Sequence, residues 1–187
     1  MGYQFYIRVN TIENLKKSDK NCGVELDLRC FNDNIILAHE PFKNGDSFDD
    51  YLESYDHKLL VLNIKESGIE DLVIKKTKSI IGDKPFFLLD VEIPFIVNQA
   101  GANKENISVR YSEYESFDSL LKFNNLFDWI WIDTFNNLPF IDDKIINFFN
   151  TKKTCLVSPK RWGRENELDS YLDKLSKFNY SPDFVLV

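Results

Sequence analysis

The chain has 187 residues, of which 43% are hydrophobic and 28% charged, a balance typical of a folded protein and not of a disordered one. Its length predicts a single domain, residues 1–187. The net charge of −7 argues against a nucleic-acid partner, because a protein that neutralises a phosphate backbone needs a basic surface. No apolar run approaches the roughly 18 residues of a membrane-spanning helix. Three widely spaced cysteines (Cys22, Cys30, Cys155) predict reduced thiols in the cytoplasm.

Short apolar, β-rich segments alternate with amphipathic segments along the whole chain. The predicted strands, in chain order, are residues 5–8, 24–28, 35–39, 59–64, 86–90, 107–110, 129–133, 154–157 and 184–187. The predicted helices are residues 12–17, 48–55, 69–81, 117–123, 142–149 and 165–178, with a shorter one expected within 92–100. Ser47 and Asp142 stand at N-cap positions, and Gly68 and Gly82 mark helix boundaries.

Repeated strand–helix alternation predicts parallel strands joined by crossover helices, and two α/β architectures have this pattern. An open doubly wound sheet normally carries a glycine-rich loop after its first strand, but residues 8–12 contain no glycine. A closed barrel needs eight strands, which the chain supplies if residues 35–39 form a hairpin with residues 24–28. We therefore predict a compact (β/α)₈ TIM barrel with short helices and loops.

Charged side chains recur at the carboxyl ends of the predicted strands. Because alternate residues of a strand share one face, Glu25, Asp27 and Arg29 lie opposite an apolar face and point into the barrel. Burial of such groups costs several kcal/mol each unless they are paired or bind a cation. Other strands end in further polar residues: Arg8, Asn63, Lys65, Asp90, Arg110, Ser112, Asp133 and Lys160. This is the end at which barrels carry their active sites, so the set indicates a site for a charged ligand; a structural ion network is the alternative.

The residue types indicate chemistry on a phosphate ester. Glu25, Asp27 and Asn63 offer hard oxygen ligands that suit Mg²⁺ or Ca²⁺. Imidazole is the side chain suited to proton transfer near neutral pH, so His39 is the natural general acid or base. Cationic groups for the phosphate are provided by Arg8, Arg29, Lys65 and Arg110.

Two segments carry a resemblance to a known family. Residues 23–29 (G-V-E-L-D-L-R) followed by 33–41 (D-N-I-I-L-A-H-E-P) resemble the glycerophosphodiester phosphodiesterase family, of the phospholipase-C-like phosphodiesterase superfamily. The family pattern reads G-x-E-x-D-V, a D-G turn, and an apolar run into H-D. Residues 12–15 (I-E-N-L) are similar to a shortened P-E-N-T segment, and residues 62–65 (L-N-I-K) to an L-x-E-x-K strand.

The resemblance implies a phospholipase-C-like barrel and a metal-dependent hydrolase, with a role in lipid metabolism, that cleaves a small glycerophosphodiester or phosphosugar diester. It implies that Glu25 and Asp27 hold the cation and that His39 is the acid–base residue. Arg8 and Lys65 would contact the phosphate oxygens. Arg29, Arg110 and Asp133 are predicted to line the substrate pocket.

Two residues of the family's catalytic pattern are replaced in this sequence, and both replacements are expected to weaken catalysis. The family's first strand ends in H-R-G, but Ile7 precedes Arg8 here, so the second catalytic imidazole is missing. The family's metal-binding glutamate of the L-x-E-x-K strand is Asn63. Loss of an acid–base group typically costs about 10²–10⁴-fold in rate. Three carboxylates are candidate replacement bases: Glu92, Glu113 and Asp133.

The remaining motifs have a structural interpretation beside the functional one. His57 precedes a strand at the opposite end of the barrel, so a structural role is expected. Residues 110–115 either line the pocket or lead into an N-cap at Ser116, while Trp129 and Trp131 either flank the pocket or pack in the core. Residues 157–162 either present cations to a ligand or form a plain connection.

Three functions are compatible with these residues. The first is the phosphodiesterase. The second is a binding protein that keeps the anion pocket and senses or carries a phosphorylated metabolite without turnover. The third is an unrelated isomerase or aldolase with Lys65 as Schiff-base lysine, which the expected neighbours Glu25 and Asp27 disfavour.

Overall fold

The computed structural model describes residues 3–99 and 101–186, and within these it contains nine strands and seven α-helices. The strands are β1 (Tyr3–Tyr6), β2 (Gly23–Phe31), β3 (Asn34–Leu37), β4 (Leu60–Ile64), β5 (Phe86–Leu89), β6 (Ser108–Tyr111), β7 (Trp129–Ile132), β8 (Lys153–Val157) and β9 (Phe184–Leu186). The helices are α1 (Ile12–Lys17), α2 (Phe48–Glu53), α3 (Glu70–Ile81), α4 (Ile93–Gln99), α5 (Phe117–Lys122), α6 (Asp143–Phe149) and α7 (Leu168–Ser176). Short 3₁₀ helices cover Lys104–Asn106, Asn124–Leu126 and Pro159–Trp162.

Every predicted strand and helix is present, with ends that differ by a few residues. The helix expected after Pro94 is α4, and the carboxyl-terminal helix α7 is shorter than predicted. The predicted ends at Ala100 and Val187 lie outside the described residues.

The sheet has the strand order β5-β4-β2-β1-β9-β8-β7-β6, and among the described strands β3 pairs with β2 alone. The described parallel ladders join β1–β2, β2–β4, β4–β5, β6–β7, β7–β8 and β8–β9. Once β3 is set aside, neighbours in the sheet are neighbours in the chain, except that the first strand, β1, lies beside the last, β9. This is the connectivity of a (β/α)₈ barrel. The predicted fold class is therefore confirmed.

The β2–β3 hairpin confirms that residues 35–39 do not contribute a barrel strand. The structure corrects the position of its turn, which the family pattern placed at Asp33 and Asn34. Because Phe31 pairs with Asn34, the two residues between them form the turn. Asn32 and Asp33 both have positive φ, at 50° and 62°. Asn and Asp tolerate this conformation, and two-residue hairpin turns of this kind require it.

The chain divides into two compact units, of which the amino-terminal unit covers Phe5–Phe95. Its core is built around fully buried aromatic side chains such as Phe48, Tyr51 and Phe87. Ser47 caps α2 as predicted, since its hydroxyl accepts a hydrogen bond from the Asp50 N–H.

The carboxyl-terminal unit comprises Ile96–Val187 with residues at the start of the chain. Trp129, Phe127 and Phe149 are fully buried in its core. The predicted cap at Asp142 is confirmed, because its carboxylate accepts a hydrogen bond from the Ile145 N–H at 2.9 Å. Ser116 caps α5 in the same way. In the described part of the chain, no helix has the length and apolar character needed to cross a membrane.

His57 has the structural role that the sequence predicts. Its ring is buried beside Tyr55, and its Nε2 lies 2.9 Å from the Ser18 hydroxyl. The hydroxyl itself donates to the Leu15 carbonyl, so Nε2–H donates to Ser18. Burial lowers the pKa of His57 below its ordinary value.

This burial predicts an acid sensitivity of folding. As the pH falls from about 7 to about 5, the unfolded chain takes up the His57 proton before the folded one does, so the free energy of unfolding should decrease. The decrease should be smaller in a His57→Gln variant, as measured by urea unfolding at several pH values. An equal pH dependence in both proteins would contradict the assignment.

Candidate active site

A pair of buried carboxylates on β2 forms the centre of the amino-terminal unit's polar cluster. Glu25 and Asp27 are both buried, as the alternation along the strand predicts. On β4, Asn63 is the register partner of Asp27. Its amide Nδ2 donates to Glu25 Oε1 at 2.9 Å, so these side chains share one face of the sheet.

The Glu25 carboxylate is satisfied by two N–H donors. Besides Asn63, the Arg8 backbone N–H donates to Oε2 at 2.8 Å. Arg8 follows β1 and has φ 52°, a left-handed conformation that is uncommon outside glycine. Burial, together with the negative charge of Asp27, raises the pKa of Glu25 above its ordinary value.

Asp27 is held by an amide and lies beside an ammonium group. Asn10 Nδ2 donates to Asp27 Oδ2 at 2.8 Å, and the Asp27 N–H donates back to Asn10 Oδ1 at 2.8 Å. On the other side, Lys65 Nζ lies 3.4 Å from Asp27 Oδ1 and 3.6 Å from Asp90 Oδ2. This placement between two carboxylates gives no support to a Schiff-base role for Lys65.

His39 lies two residues after the end of β3, and each of its ring nitrogens contacts a charged side chain. Its Nδ1 is 2.6 Å from Glu40 Oε1, and its Nε2 is 2.9 Å from Arg8 Nη2. A guanidinium group only donates hydrogen bonds, so Nε2 accepts from Arg8 and the ring proton lies on Nδ1, facing Glu40. The hydrogen bond from His39 lowers the pKa of Glu40. Glu40 thus orients the imidazole so that Nε2 faces the cationic group.

Arg29 holds the backbone around these residues. Its Nε donates to the His39 carbonyl at 3.0 Å and its Nη1 to the Lys65 carbonyl at 3.0 Å. The predicted role of Arg29 in substrate binding stays a prediction, since the described bonds tie it to the main chain.

Two buried oxygens bear on whether this cluster suits a divalent cation. Asp27 Oδ1 and Asn63 Oδ1 have no hydrogen-bond donor among the described residues, and they belong to register partners on adjacent strands. Carboxylate and amide oxygens are ligands that Mg²⁺ and Ca²⁺ accept. No group of three or more acidic, histidine or cysteine side chains suited to a metal occurs in residues 3–99 and 101–186. The two oxygens are of the chemical type that a hard cation accepts, and the Lys65 ammonium group lies beside one of them.

The carboxyl-terminal unit carries its own polar cluster, at the ends of β6 and β7. Arg110 Nη1 donates to the buried Asp133 Oδ2 at 2.5 Å. Two indole N–H groups, those of Trp131 and Trp162, donate to the same carboxylate at 3.3 Å. Trp162 also contacts the ring of Phe135, with centroids 5.0 Å apart. Arg110 and Asp133, both predicted to line a substrate pocket, are thus partners of each other.

The three candidate replacement bases have different surroundings. Glu92 accepts a hydrogen bond from the Ser67 hydroxyl at 3.0 Å. Burial raises the pKa of Glu113, but backbone N–H groups, including that of Asn136, outweigh it and lower the pKa overall. The Asp133 carboxylate accepts hydrogen bonds from Arg110 and from the two indole N–H groups. The role of each as a base stays a prediction.

Sequence reasoning missed Asn10 and Glu40 as site residues. Asn10 stands 17 residues before Asp27, in a segment without strand or helix periodicity. Glu40 replaces the aspartate of the family's H-D pair, and this substitution is the signal that would have identified it.

The sequence matches no family model, and no curated protein matches it significantly. Solved structures that share its fold include the following three. A protein from Agrobacterium tumefaciens, provisionally named a glycerophosphoryl diester phosphodiesterase, has a TM-score of 0.66 at 10% identity, over 100% of this chain and 93% of that chain. A phosphodiesterase from Oleispira antarctica, solved with its product sn-glycerol-3-phosphate, has a TM-score of 0.63 at 13% identity, over 100% and 92%. A Ca²⁺-dependent phosphatidylinositol-specific phospholipase C from Streptomyces antibioticus has a TM-score of 0.62 at 9% identity, over 100% and 92%.

Proposed function

We propose that this protein is a divergent metal-dependent phosphodiesterase that hydrolyses a small glycerophosphodiester or phosphosugar diester. The observation that carries the proposal is the arrangement around His39. Its imidazole is oriented by Glu40, faces the guanidinium of Arg8, and belongs to the same unit as the buried carboxylates Glu25 and Asp27. An oriented imidazole, a cation for the phosphate and a carboxylate pair are the groups that diester hydrolysis uses.

The structural neighbours support the same reaction class. Two of the three are named phosphodiesterases, one of them solved with sn-glycerol-3-phosphate, and the third is a phospholipase C. One neighbour is named as Ca²⁺-dependent. We propose that Glu25, Asp27 and Asn63 hold a Mg²⁺ or Ca²⁺ ion, which when bound supplies Lewis-acid polarisation of a phosphate oxygen.

The proposed roles follow from the contacts. Hydrolysis forms a P–O bond to water and breaks the P–O bond to the leaving alcohol. We propose that the Arg8 guanidinium leaves Nε2 when it binds the phosphate. The protonated His39 then donates its Nε2 proton to the leaving alkoxide, while Glu40 stabilises the imidazolium. Arg8 and Lys65 neutralise the phosphate oxygens. Of the three candidate replacement bases, Glu92 is the one that belongs to the amino-terminal unit. We propose that it takes up the proton of the attacking water.

A second candidate function is a binding protein without turnover. The observation that favours it is Ile7, which stands where the family pattern has its second imidazole. A binder retains the cationic groups Arg8 and Lys65 but needs no second acid–base residue. In this case Arg29 would still serve ligand binding in the amino-terminal unit. Arg110 and Asp133 keep their predicted binding role within the carboxyl-terminal unit.

The test is hydrolysis of a phosphodiester panel by the purified protein. The panel holds a chromogenic diester and several glycerophosphodiesters, each assayed with Mg²⁺, Mn²⁺ or Ca²⁺ and with EDTA. We expect turnover that requires a cation and falls at least about 10²-fold in a Glu25→Ala variant. Turnover that persists in EDTA would overturn the metal requirement. Absence of turnover, with glycerol phosphate still raising the melting temperature, would favour the binder.

We also propose that the chain forms one domain, residues 1–187, and acts in the cytoplasm. The three cysteines, Cys22, Cys30 and Cys155, all carry free thiols, which supports a reducing compartment.

A further inference from the structure

The Lys65 ammonium group lies between two carboxylates of the amino-terminal unit and is bound closely by neither. Its Nζ atom is 3.4 Å from Asp27 Oδ1 and 3.6 Å from Asp90 Oδ2. A charge-assisted hydrogen bond from an ammonium group to a carboxylate is shorter, about 2.7–2.9 Å. The Lys76–Asp49 pair of the same unit is as short as this, at 2.6 Å. Lys65 is therefore shared by two partners.

The main chain of Lys65 is fixed, so its ammonium group moves by rotation of the side chain alone. The Lys65 N–H donates to the Leu28 carbonyl at 3.0 Å, and the Lys65 carbonyl accepts from Arg29 Nη1 at 3.0 Å. The ammonium group itself stands at the end of a flexible four-carbon chain. A shift of roughly 1 Å toward one carboxylate completes a hydrogen bond with it and gives up the contact with the other.

The two carboxylates differ in exposure. The Asp27 side chain is 1% exposed and lies on β2, whereas the Asp90 side chain is 32% exposed and follows β5. Asp90 has φ 59°, a left-handed conformation that costs free energy in a residue other than glycine, although Asp and Asn tolerate it better than most. Strained backbone of this kind is typical of functional sites, and here it accompanies a carboxylate that faces Lys65.

A divalent cation at Asp27 would compete with the Lys65 ammonium group for the same carboxylates. Two cations within about 4 Å of each other repel strongly where water is excluded. The Lys65 charge also acts on Glu25, the second proposed ligand. Burial raises the pKa of Glu25, and the Lys65 charge offsets part of that rise. Binding of the cation therefore requires that Lys65 move away from Asp27 and find another carboxylate.

We propose that Asp90 is a positioning residue that takes over the Lys65 ammonium group when a divalent cation binds Glu25 and Asp27. The transfer keeps Lys65 charged and within the site, where it neutralises the phosphate oxygens. Without the Asp90 carboxylate, the cation would displace a charged side chain that has no second partner, so the cation would bind more weakly. This inference rests on the proposed function for the cation and the phosphate, but Asp90 takes no part in the proposed proton transfers.

The experiment measures the affinity of the full chain for Ca²⁺ from the rise in melting temperature during a titration, without any assay of turnover. Asp90→Asn removes the charge and tolerates the positive φ, so the apparent Kd should rise about tenfold. In the Lys65→Met background no ammonium group needs a second partner. There, Asp90→Asn should change the Kd by less than about twofold. Asp49→Asn, which removes an aspartate charge beside Lys76, is the matched control and should stay within about twofold of the native chain.

This double-mutant cycle separates positioning from direct ligation. An equal rise of Kd in both backgrounds would mean that Asp90 binds the cation itself, and would overturn the inference. An unchanged Kd in Asp90→Asn, or a rise as large in Asp49→Asn, would also overturn it. A purely structural role would lower the melting temperature without this pattern in Kd.

The outcomes also distinguish the inference from the proposed function. If Ca²⁺ and Mg²⁺ stabilise neither the native chain nor Lys65→Met, the inference fails together with the proposed cation site. If the cycle gives the expected pattern but no diester of the panel is hydrolysed, the inference is supported and the proposed turnover fails.

Discussion

Replacement of His39 by alanine should lower the rate of phosphodiester hydrolysis about 10²–10⁴-fold, the usual contribution of one general acid or base. We expect a decrease in rate at the upper end of this range. Ile7 stands where the family pattern has a second histidine, so His39 is the one imidazole proposed to transfer a proton. The measurement is kcat and KM on the best substrate of the diester panel. KM should change little, because the phosphate is held by Arg8 and Lys65.

Two control variants make this result specific. Glu40→Gln keeps the side-chain size but removes the charge that faces Nδ1, so kcat should fall less than in His39→Ala and the pH profile should shift. His57→Gln replaces the only other histidine, which is buried beside Ser18, and should leave kcat unchanged in a folded protein. Equal rates in His39→Ala and the native chain would remove His39 from the mechanism.

The fold was predictable because its signals are local. Strand and helix periodicities repeat along the chain, and the interpretation of residues 35–39 as a hairpin arm fixed the number of barrel strands. Alternation along β2 also placed Glu25 and Asp27 on one buried face. The alternation did not predict which two residues form the hairpin turn. The turn lies one residue earlier than expected because Phe31 pairs with Asn34, and this pairing is not visible in the alternation.

The contacts of the site were less predictable because they join distant segments. Asn10 reaches Asp27 across 17 positions, and Arg29 reaches the Lys65 carbonyl across 36. Neither hydrogen bond can be predicted from the composition or the sequence spacing of the residues involved. The surroundings of Asp133 were not predictable for the same reason. Whether its carboxylate can act as a base depends on the indole N–H groups of Trp131 and Trp162, which donate to it.

Lys65→Met should lower the free energy of unfolding by about 2 kcal/mol, because it leaves the buried Asp27 without the ammonium group beside its Oδ1. Lys76→Met is the matched control. Lys76 also pairs with an aspartate, Asp49, at 2.6 Å, but that pair is partly exposed, and its loss should cost less than about 1 kcal/mol. The measurement is urea unfolding of the three proteins.

The same variant tests the cation site without any assay of activity. Asp27 Oδ1 and Asn63 Oδ1 lack hydrogen-bond donors in the described structure, and in the native chain Lys65 is the cation that neutralises Asp27. A divalent ion bound there replaces the lost ammonium charge, so Ca²⁺ or Mg²⁺ should raise the melting temperature of Lys65→Met more than that of the native protein. Asp27→Asn in the Lys65→Met background removes the uncompensated charge, so it should restore part of the stability and abolish the response to the ion. If the ion stabilises Lys65→Met and the double variant equally, it binds elsewhere, and the assignment of Asp27 as a metal ligand is wrong.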